Sequence, residues 1–372
     1  RSYGVAIGDL DGDGDLDAFV ANYNLQPNTI WTNNGRGIFG DTGQAHGTQL
    51  STAVALGDLD SDGDLDAFVA NDGQGNTIYI NNGIGGFSSN GQSLGSSASF
   101  GVALGDVDGD GDLDAFVANN GNGQPSQIWL NNGSGSFSDS GQAIGNWNSV
   151  GVARGDLNGD GHVDAFVINW DQPSTVWTNT GFGRFVDSGQ TLGTNTSLCI
   201  ALGDLDGDED LDAFVGNGGQ PSRVWMNNGQ GVFTAKVQSL SSMWSHGVAL
   251  GDVDGDGDLD AVVANDGPSR LLLNSGAGVF TDSGENLGNR SSYGVALGDL
   301  DRDGDLDAFI ANVGQPNSVW IRETDPVAVD DAIRGLSNIP LNVPVMANDY
   351  DPDGDTIWIT NVTQGANGTV VI

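Results

Sequence analysis

One phrase, G-V-A-L-G-D-L-D-G-D-G-D-L-D-A-F-V-A-N, recurs seven times with small variations along the 372-residue chain. Its first Asp falls at Asp9, Asp58, Asp106, Asp156, Asp204, Asp252 and Asp299, at intervals of 47 to 50 residues. A fixed period of this length means copies of one supersecondary unit, each burying its apolar face on its neighbours. Every copy reads as short strands. In the third copy these are residues 101–104, 114–119 and 126–131, with a fourth opening at Phe137 after an N-N-G-x-G turn. Asn-Gly between apolar alternations is a hairpin signal. No segment of the repeat has a helical period. Four antiparallel strands per copy, seven times over, predict an all-β chain folded as a seven-bladed β-propeller. The competing architecture is a solenoid, whose repeats are shorter or, near this length, helical.

Aromatic residues follow the same period. Trp31, Tyr79, Trp129, Trp177, Trp225 and Trp320 share one third-strand position, taken by Leu272 in the sixth copy. Phe39, Phe87, Phe137, Phe185, Phe233 and Phe280 open the fourth strand. A row of sugar-stacking platforms would look like this, but strict periodicity inside strands points to packing between blades. Only six copies carry the fourth strand, so the seventh blade is expected to be one strand short.

The recurring acidic cluster carries the chemistry. The first holds Asp9, Asp11, Asp13, Asp15 and Asp17, five carboxylates within nine residues that repel one another unless a cation sits among them. Positions 1, 3 and 5 aim oxygens into one concavity. Gly at position 6 permits a sharp turn, position 7 offers a backbone carbonyl, and Asp at position 9 closes the shell. A hard, oxygen-ligated Ca2+ needs this set, whereas Mg2+ wants a smaller octahedron. Zn2+ or Cu2+ would want His or Cys. An EF-hand would carry Glu at position 12, where the first copy has Val20. The other sites are Asp58, Asp60, Asp62, Asp64 and Asp66; then Asp106, Asp108, Asp110, Asp112 and Asp114. A degenerate fourth has Asp156, Asn158, Asp160, His162 and Asp164. The fifth has Asp204, Asp206, Asp208, Asp210 and Asp212, with Glu209 in place of the glycine. Asp252, Asp254, Asp256, Asp258 and Asp260 form the sixth; Asp299, Asp301, Asp303, Asp305 and Asp307 form the seventh. About seven Ca2+ are therefore expected, the fourth and fifth sites being the weakest.

The loop G-D-x-D-x-D-G-D-x-D followed by N-N-G-x-G-x-F resembles the FG-GAP repeat, also called the VCBS repeat, of integrin-α-type propellers. The resemblance runs from Arg1 to about Arg322. It implies seven blades with Ca2+ in the loop joining each blade's first and second strands, held by the Asp positions just named. Having such a loop in every copy looks more like bacterial surface and secreted members, which implies an extracellular or cell-surface location. After residue 322 the composition changes. Residues 323–372 resemble the opening of a bacterial cadherin-like, Ig-type β-sandwich, so a partial module of that kind is expected there. Asp349, Asp351 and Asp353 copy positions 1, 3 and 5, but position 9 is Ile357, so any calcium there would need help from Asp330 or Asp331.

The charge balance limits partners. Eleven Lys and Arg stand against 50 Asp and Glu, a formal net charge of -39. Nothing here could neutralise a nucleic-acid backbone or seek an anionic membrane. Thirty-four of the 50 acids lie in the loops, so the acidity is mainly a metal signature. One cysteine, Cys199, excludes an internal disulfide framework. No run of 18 apolar residues occurs, so direct membrane insertion is not expected. The pattern reads as cut at both Arg1 and Ile372, and no signal peptide is visible.

The three histidines lie in no nucleophile motif, and the Asp pairs are accounted for as metal ligands. The expected function is therefore non-catalytic: binding of a protein or glycan ligand, or adhesion. A structural spacer and a polysaccharide lyase are the alternatives. Loops alternate between two faces in an up-and-down blade, so the calcium loops and N-N-G turns share one. The other face carries residues that break the repeat: Tyr23, Asn24, Leu25, Trp147, Trp170, Trp244, His246 and Arg290. A ligand is expected there.

Overall fold

The computed structural model describes the chain except for residues 122, 239, 241, 324, 325, 335–338, 352–355, 364–368 and 372. It divides into two compact units, Arg1–Ile321 and Arg322–Ile372. The first is a propeller of antiparallel sheets, with no helix among the described residues. In the first copy the strands are Ser2–Gly8, Asp17–Asn22, Thr29–Thr32 and Gly40–Asp41, hydrogen-bonded in sequence order. Every residue of Asp17–Asn22 is buried, and so is every residue of its counterparts in the other copies. This explains why D-A-F-V-A-N reads as a continuous apolar run rather than an alternation.

The chain forms six sheets, which corrects the expectation of seven separate blades. The sixth has five strands because the sixth and seventh copies share one. Asp260–Asn274 and Phe280–Gly298 run on where other copies break into loops, with Asp266 opposite Ser291 and Gly267 opposite Arg290. The latter half of Phe280–Gly298 then pairs with Asp307–Asn312 as an ordinary first strand would. Ser318–Trp320 ends that sheet, with no further strand beyond it among the described residues.

First strands surround the axis so closely that the G position of G-V-A-L is glycine in five copies and the small Ala53 or Cys199 in the other two. A Cβ on Gly101 would lie 2.8 Å from the Cα of Gly151, and one on Gly294 would lie 3.0 Å from the carbonyl of Tyr3. The second of these contacts closes the ring between the last copy and the first. Between blades, each fourth-strand Phe meets a second-strand Phe edge-on. Phe87 packs on Phe19 at 5.4 Å, Phe137 on Phe68 at 5.4 Å and Phe39 on Phe309 at 5.0 Å across the closure. Such contacts add about 0.5–1.5 kcal/mol each beyond their buried area. The periodic aromatics are packing residues, as their regularity implied.

In the second unit the described residues form one isolated bridge, between Val327 and Tyr350, supported by the Val329 N–H donating to Asp349 at 2.8 Å. No paired layers of a sandwich occur among them, and Ile333, Ile339, Leu341 and Trp358 are exposed. Asp353 of the expected calcium triplet lies outside the described residues.

Candidate functional site

Each acidic loop joins a first strand to a second, so a ladder fixes both its ends: Gly8 pairs with Asp17, and Gly57 with Asp66. The position 1 carboxylate folds the turn around itself. Asp9 accepts from the N–H of Gly12 at 2.8 Å and of Gly14 at 3.0 Å. Asp204 does the same with Gly207 at 2.7 Å and Glu209 at 2.9 Å. Positions 4 and 6 take left-handed backbone, with φ of 80° at Gly12 and 87° at Gly14. Ser61, Glu209 and Arg302 hold that conformation with a side chain, at a cost of roughly 1–2 kcal/mol each.

Position 3 is the poorly satisfied one. The N–H of position 5 stands 3.3 Å from it in the first and third loops. Buried Oδ1 atoms of Asp60, Asp206 and Asp301 have no hydrogen-bond partner, nor has that of Asp252 at position 1. Burial, then the charge at position 5, pushes the carboxyls of Asp11, Asp60, Asp108 and Asp206 above their usual range. Carboxylate oxygens converge to within 4.8 Å in groups including Asp9, Asp11 and Asp13; Asp58, Asp60 and Asp62; and Asp106, Asp108 and Asp114. Asp204, Asp206 and Asp212 form another group, as do Asp252, Asp254 and Asp260. Orphaned oxygens in all-oxygen clusters could hold a hard cation, which would supply the missing partner.

Position 9 has a second task. Both oxygens of Asp17 accept backbone N–H groups, from Leu10 at 3.1 Å and from Asn33 at 2.8 Å. Asp66 does likewise with Leu59 at 2.9 Å and Asn81 at 2.8 Å. Burial pushes Asp17, Asp66, Asp114, Asp164 and Asp212 up to about 6, against the lowering effect of those N–H donors. The carboxylate thus ties its loop to the N-N-G turn of its own copy. That turn reaches on to the preceding copy: Asn81 Nδ2 donates to the Leu10 carbonyl at 2.8 Å, and Asn33 Nδ2 to that of Leu300 at 2.6 Å. Position 7 side chains lie beside the turn's glycine, where a Cβ on Gly35 would come within 2.7 Å of Asp15 Oδ1. Asp15 also pairs with Arg302 of the seventh loop at 2.5 Å.

The other face is built differently. Each first strand opens with Ser-X, and the ladder slips by one residue between that Ser and the residue after X. X is therefore the extra residue of a β-bulge, released from the ladder and re-aimed. Its Ser is fixed by donating to an Asn at the end of the second strand, 2.8 Å for Ser51 to Asn71 and 2.8 Å for Ser292 to Asn312. The X residues ring the mouth of the channel. Phe100, Val150 and Leu198 form an apolar arc, continued by Thr52, whose hydroxyl is turned to the Ser99 carbonyl at 2.8 Å. Tyr3, His246 and Tyr293 form a polar one, and Trp170, Trp244 and Asp266 complete a cavity of about 490 Å3.

Rings run continuously along the polar arc. Trp170 meets Trp244 at 6.3 Å, Trp244 stacks on His246 at 6.2 Å, and His246 stacks on Tyr293 at 3.8 Å. Tyr293 meets Tyr3 at 4.7 Å, and Tyr3 stacks on Tyr23 at 4.6 Å. The Tyr23 hydroxyl donates to Asp72 at 2.7 Å, which pushes its pKa up to about 12. Burial brings His246 down to about 4, so its imidazole is neutral.

The FG-GAP-like repeat family matches residues 9–69, 58–117, 106–167, 156–215, 204–263 and 252–310, which together span most of the chain. The chain belongs to the FG-GAP-like repeat family. Its C-terminal residues 323–372 match the bacterial Ig domain family. The six matches overlap, each running from one acidic loop through the next, so that together they take in all seven loops. No curated protein sequence matches the chain. Among solved structures, it is similar to a lectin from Agrocybe aegerita whose structure concerns recognition of non-reducing terminal N-acetylglucosamine. That pair shares 22% identity over 84% of this chain and 85% of the lectin, with a TM-score of 0.54. It is also similar to BBS1N from a complex with ARL6DN, at 13% identity, 83% and 88% coverage and a TM-score of 0.57. A functionally unknown protein from Desulfotomaculum acetoxidans matches at 14% identity, 82% and 98% coverage and a TM-score of 0.56. At such identities the likeness speaks for the fold alone.

Within this FG-GAP-like unit, the residues singled out on the second face divide. Tyr23, Trp170, Trp244 and His246 join the ring arc, with Trp170 and Trp244 36% and 43% exposed. Trp147 does not, since it folds over Gly145 beside Trp177. Arg290 is spent on the Pro316 carbonyl at 2.6 Å. Asn24 and Leu25 are exposed turn residues with φ of 68° and 59°. Sequence reasoning missed the bulge set apart from His246. The signal was present: after an invariant Ser, the residue is Tyr3, Thr52, Phe100, Val150, Leu198, His246 or Tyr293 while the following strand hardly changes. Also missed were Gln44 and Gln92, which each accept from the next copy's fourth-strand Phe N–H, at 3.1 and 3.0 Å.

Proposed function

We propose that this chain is a calcium-stabilised, extracellular binding or adhesion module, non-catalytic, with its ligand on the face opposite the acidic loops. The reading takes seven loops as seven Ca2+ sites. The observation that carries it is the set of buried, partnerless carboxylate oxygens on Asp60, Asp206, Asp252 and Asp301 amid converging Asp side chains. Those oxygens are costly without a cation. Positions 1, 3 and 5 would hold the ion through side chains, and position 7 through its carbonyl. Bound Ca2+ would supply charge neutralisation and a fixed turn. Such loops in extracellular modules bind at about 10⁻⁴–10⁻³ M, which suits a calcium-rich exterior.

The contrast between faces supports the location of the ligand. Loop carboxylates are committed to backbone and metal, while the channel mouth presents rings in a cavity of suitable size. The ligand is a protein or a glycan. Isothermal titration of chelator-stripped protein with CaCl2 and with MgCl2 tests the metal reading. About seven Ca2+ per chain, with Mg2+ weaker, is the expected result. A stoichiometry near zero would remove it.

A further inference from the structure

Taking the face opposite the loops as the binding face, we propose that the channel mouth is a saccharide site for a neutral pyranose. Trp244 is the platform. Its ring lies on two glycines: a Cβ on Gly218 would come within 2.9 Å of Cζ3, and one on Gly219 within 3.2 Å of Nε1. Its backbone is held from two copies, through a bridge to Gly218 and through its carbonyl, which accepts from the Asp266 N–H at 2.8 Å. One ring face is thus bedded, and 43% of the residue remains open. A rigid, flat, half-open indole suits the C–H face of a sugar ring.

Beside the platform stand neutral hydrogen-bonding groups. The Tyr3 and Tyr293 hydroxyls have no partner among the described residues. Burial raises both phenols, so they stay protonated and able to donate. The neutral imidazole of His246 adds a donor and an acceptor. Asp266 accepts, as sugar hydroxyls require.

The same lining argues against charged ligands. Among the described residues no Lys or Arg lines the cavity, the charge of Arg1 being felt at Tyr3 and Tyr293 from outside the lining, and Asp266 would repel a uronate or sialate. A basic side chain would want ring faces on several sides, and beside the open Trp244 the rings of the arc cover one another. Here His246 is sandwiched between Trp244 and Tyr293, and Tyr293 between His246 and Tyr3. What these rings turn to the cavity is edge and hydroxyl.

The test is retention of the calcium-loaded full chain on an array of neutral, uronate-bearing and sialylated oligosaccharides, with Lys- and Arg-rich peptides alongside. Neutral glycans should be retained. Trp244→Ala should weaken retention tenfold or more. The near-isosteric Tyr293→Phe should weaken it about threefold to tenfold, the value of one neutral hydrogen bond, without changing the melt. Trp147→Ala, outside the arc, should leave it unchanged. Neutral-glycan retention indifferent to both Trp244→Ala and Tyr293→Phe overturns the proposal. So does retention of only acidic glycans or only peptides, or of no probe. Peptide retention lost with Trp244→Ala would overturn the sugar but keep the face. Retention lost instead with Ile84→Ser or Phe182→Ser, exposed residues of the N-N-G turns, would overturn the face as well.

Discussion

On the loop face the same acidic positions return in copy after copy, while on the mouth face the bulge residue and the loops beside it change. The loop positions are spent inside the chain. Asp9 binds its own turn and Asp17 ties loop to N-N-G turn. Asn33 and Asn81 then carry the connection to the preceding copy. Mouth residues such as Tyr3 and Tyr293 stand outside the ladder, with hydroxyls uncommitted among the described residues. Repetition therefore marks what the ring needs in order to close, and variation marks what it can spare for recognition.

The widest separation between the faces should come from chelation. At ten times Kd each ion contributes about 1.4 kcal/mol, so several together rival the whole stability of a domain. Calorimetry with EDTA should show a melt lowered by many degrees, or no folded state at all. An unchanged melt would erase the distinction drawn between the faces. Single substitutions should separate them next. Asp60→Ala should remove one ion from the titration and lower the melt by the worth of one site. Trp244→Ala should leave the ion count intact.

Acid should act with opposite sign on the two metal states. Folded Asp17, Asp66, Asp114, Asp164 and Asp212 titrate near 6, above the unfolded value of about 3.9. Without metal the folded state then binds more protons between those values. Stability is gained as pH falls through 6 and lost as it rises. With Ca2+ bound, protons compete for the same loops, and acidification should destabilise. Melts at pH 5 and 7, with EDTA and with Ca2+, check both signs; the same trend in both would refute the linkage. The smallest effect should be Glu209→Gly, a gain of about 1 kcal/mol by chemical denaturation, from relieved backbone strain. Arg302→Gly should gain less, since it forfeits the ion pair with Asp15.

Much of the loop face was legible because its signals are local. A turn of nine residues writes its spacing, its glycines and its carboxylates into one stretch of chain, so the propeller, the acidic clusters and the strain at Glu209 could all be read. Other features depend on register. That Asp17 spends both oxygens on Leu10 and Asn33 requires knowing which strand lies beside which. The sixth and seventh copies fuse because Pro268 and Asn289 happen to pair where other copies bend away. The mouth was half visible: Trp170 and Trp244 stood out by breaking the pattern, whereas Tyr3 and Tyr293 hid inside a strand that otherwise looked regular. Trp147 broke the pattern just as plainly, yet it lies over Gly145.

The Ser–Asn latch beneath each bulge bears on how such a chain can change over time. The Ser51 and Asn71 pair holds its strand end whatever side chain follows. A substitution at residue 198 therefore leaves its own latch in place, whereas Thr52 is also tied to the next copy through the Ser99 carbonyl at 2.8 Å. Each copy offers one socket, those of His246, Tyr293 and Tyr3 being coupled ring on ring, and seven sockets share a single opening. A small library randomised at those positions alone would sample new specificities at little cost to folding, and inheritance has the same freedom.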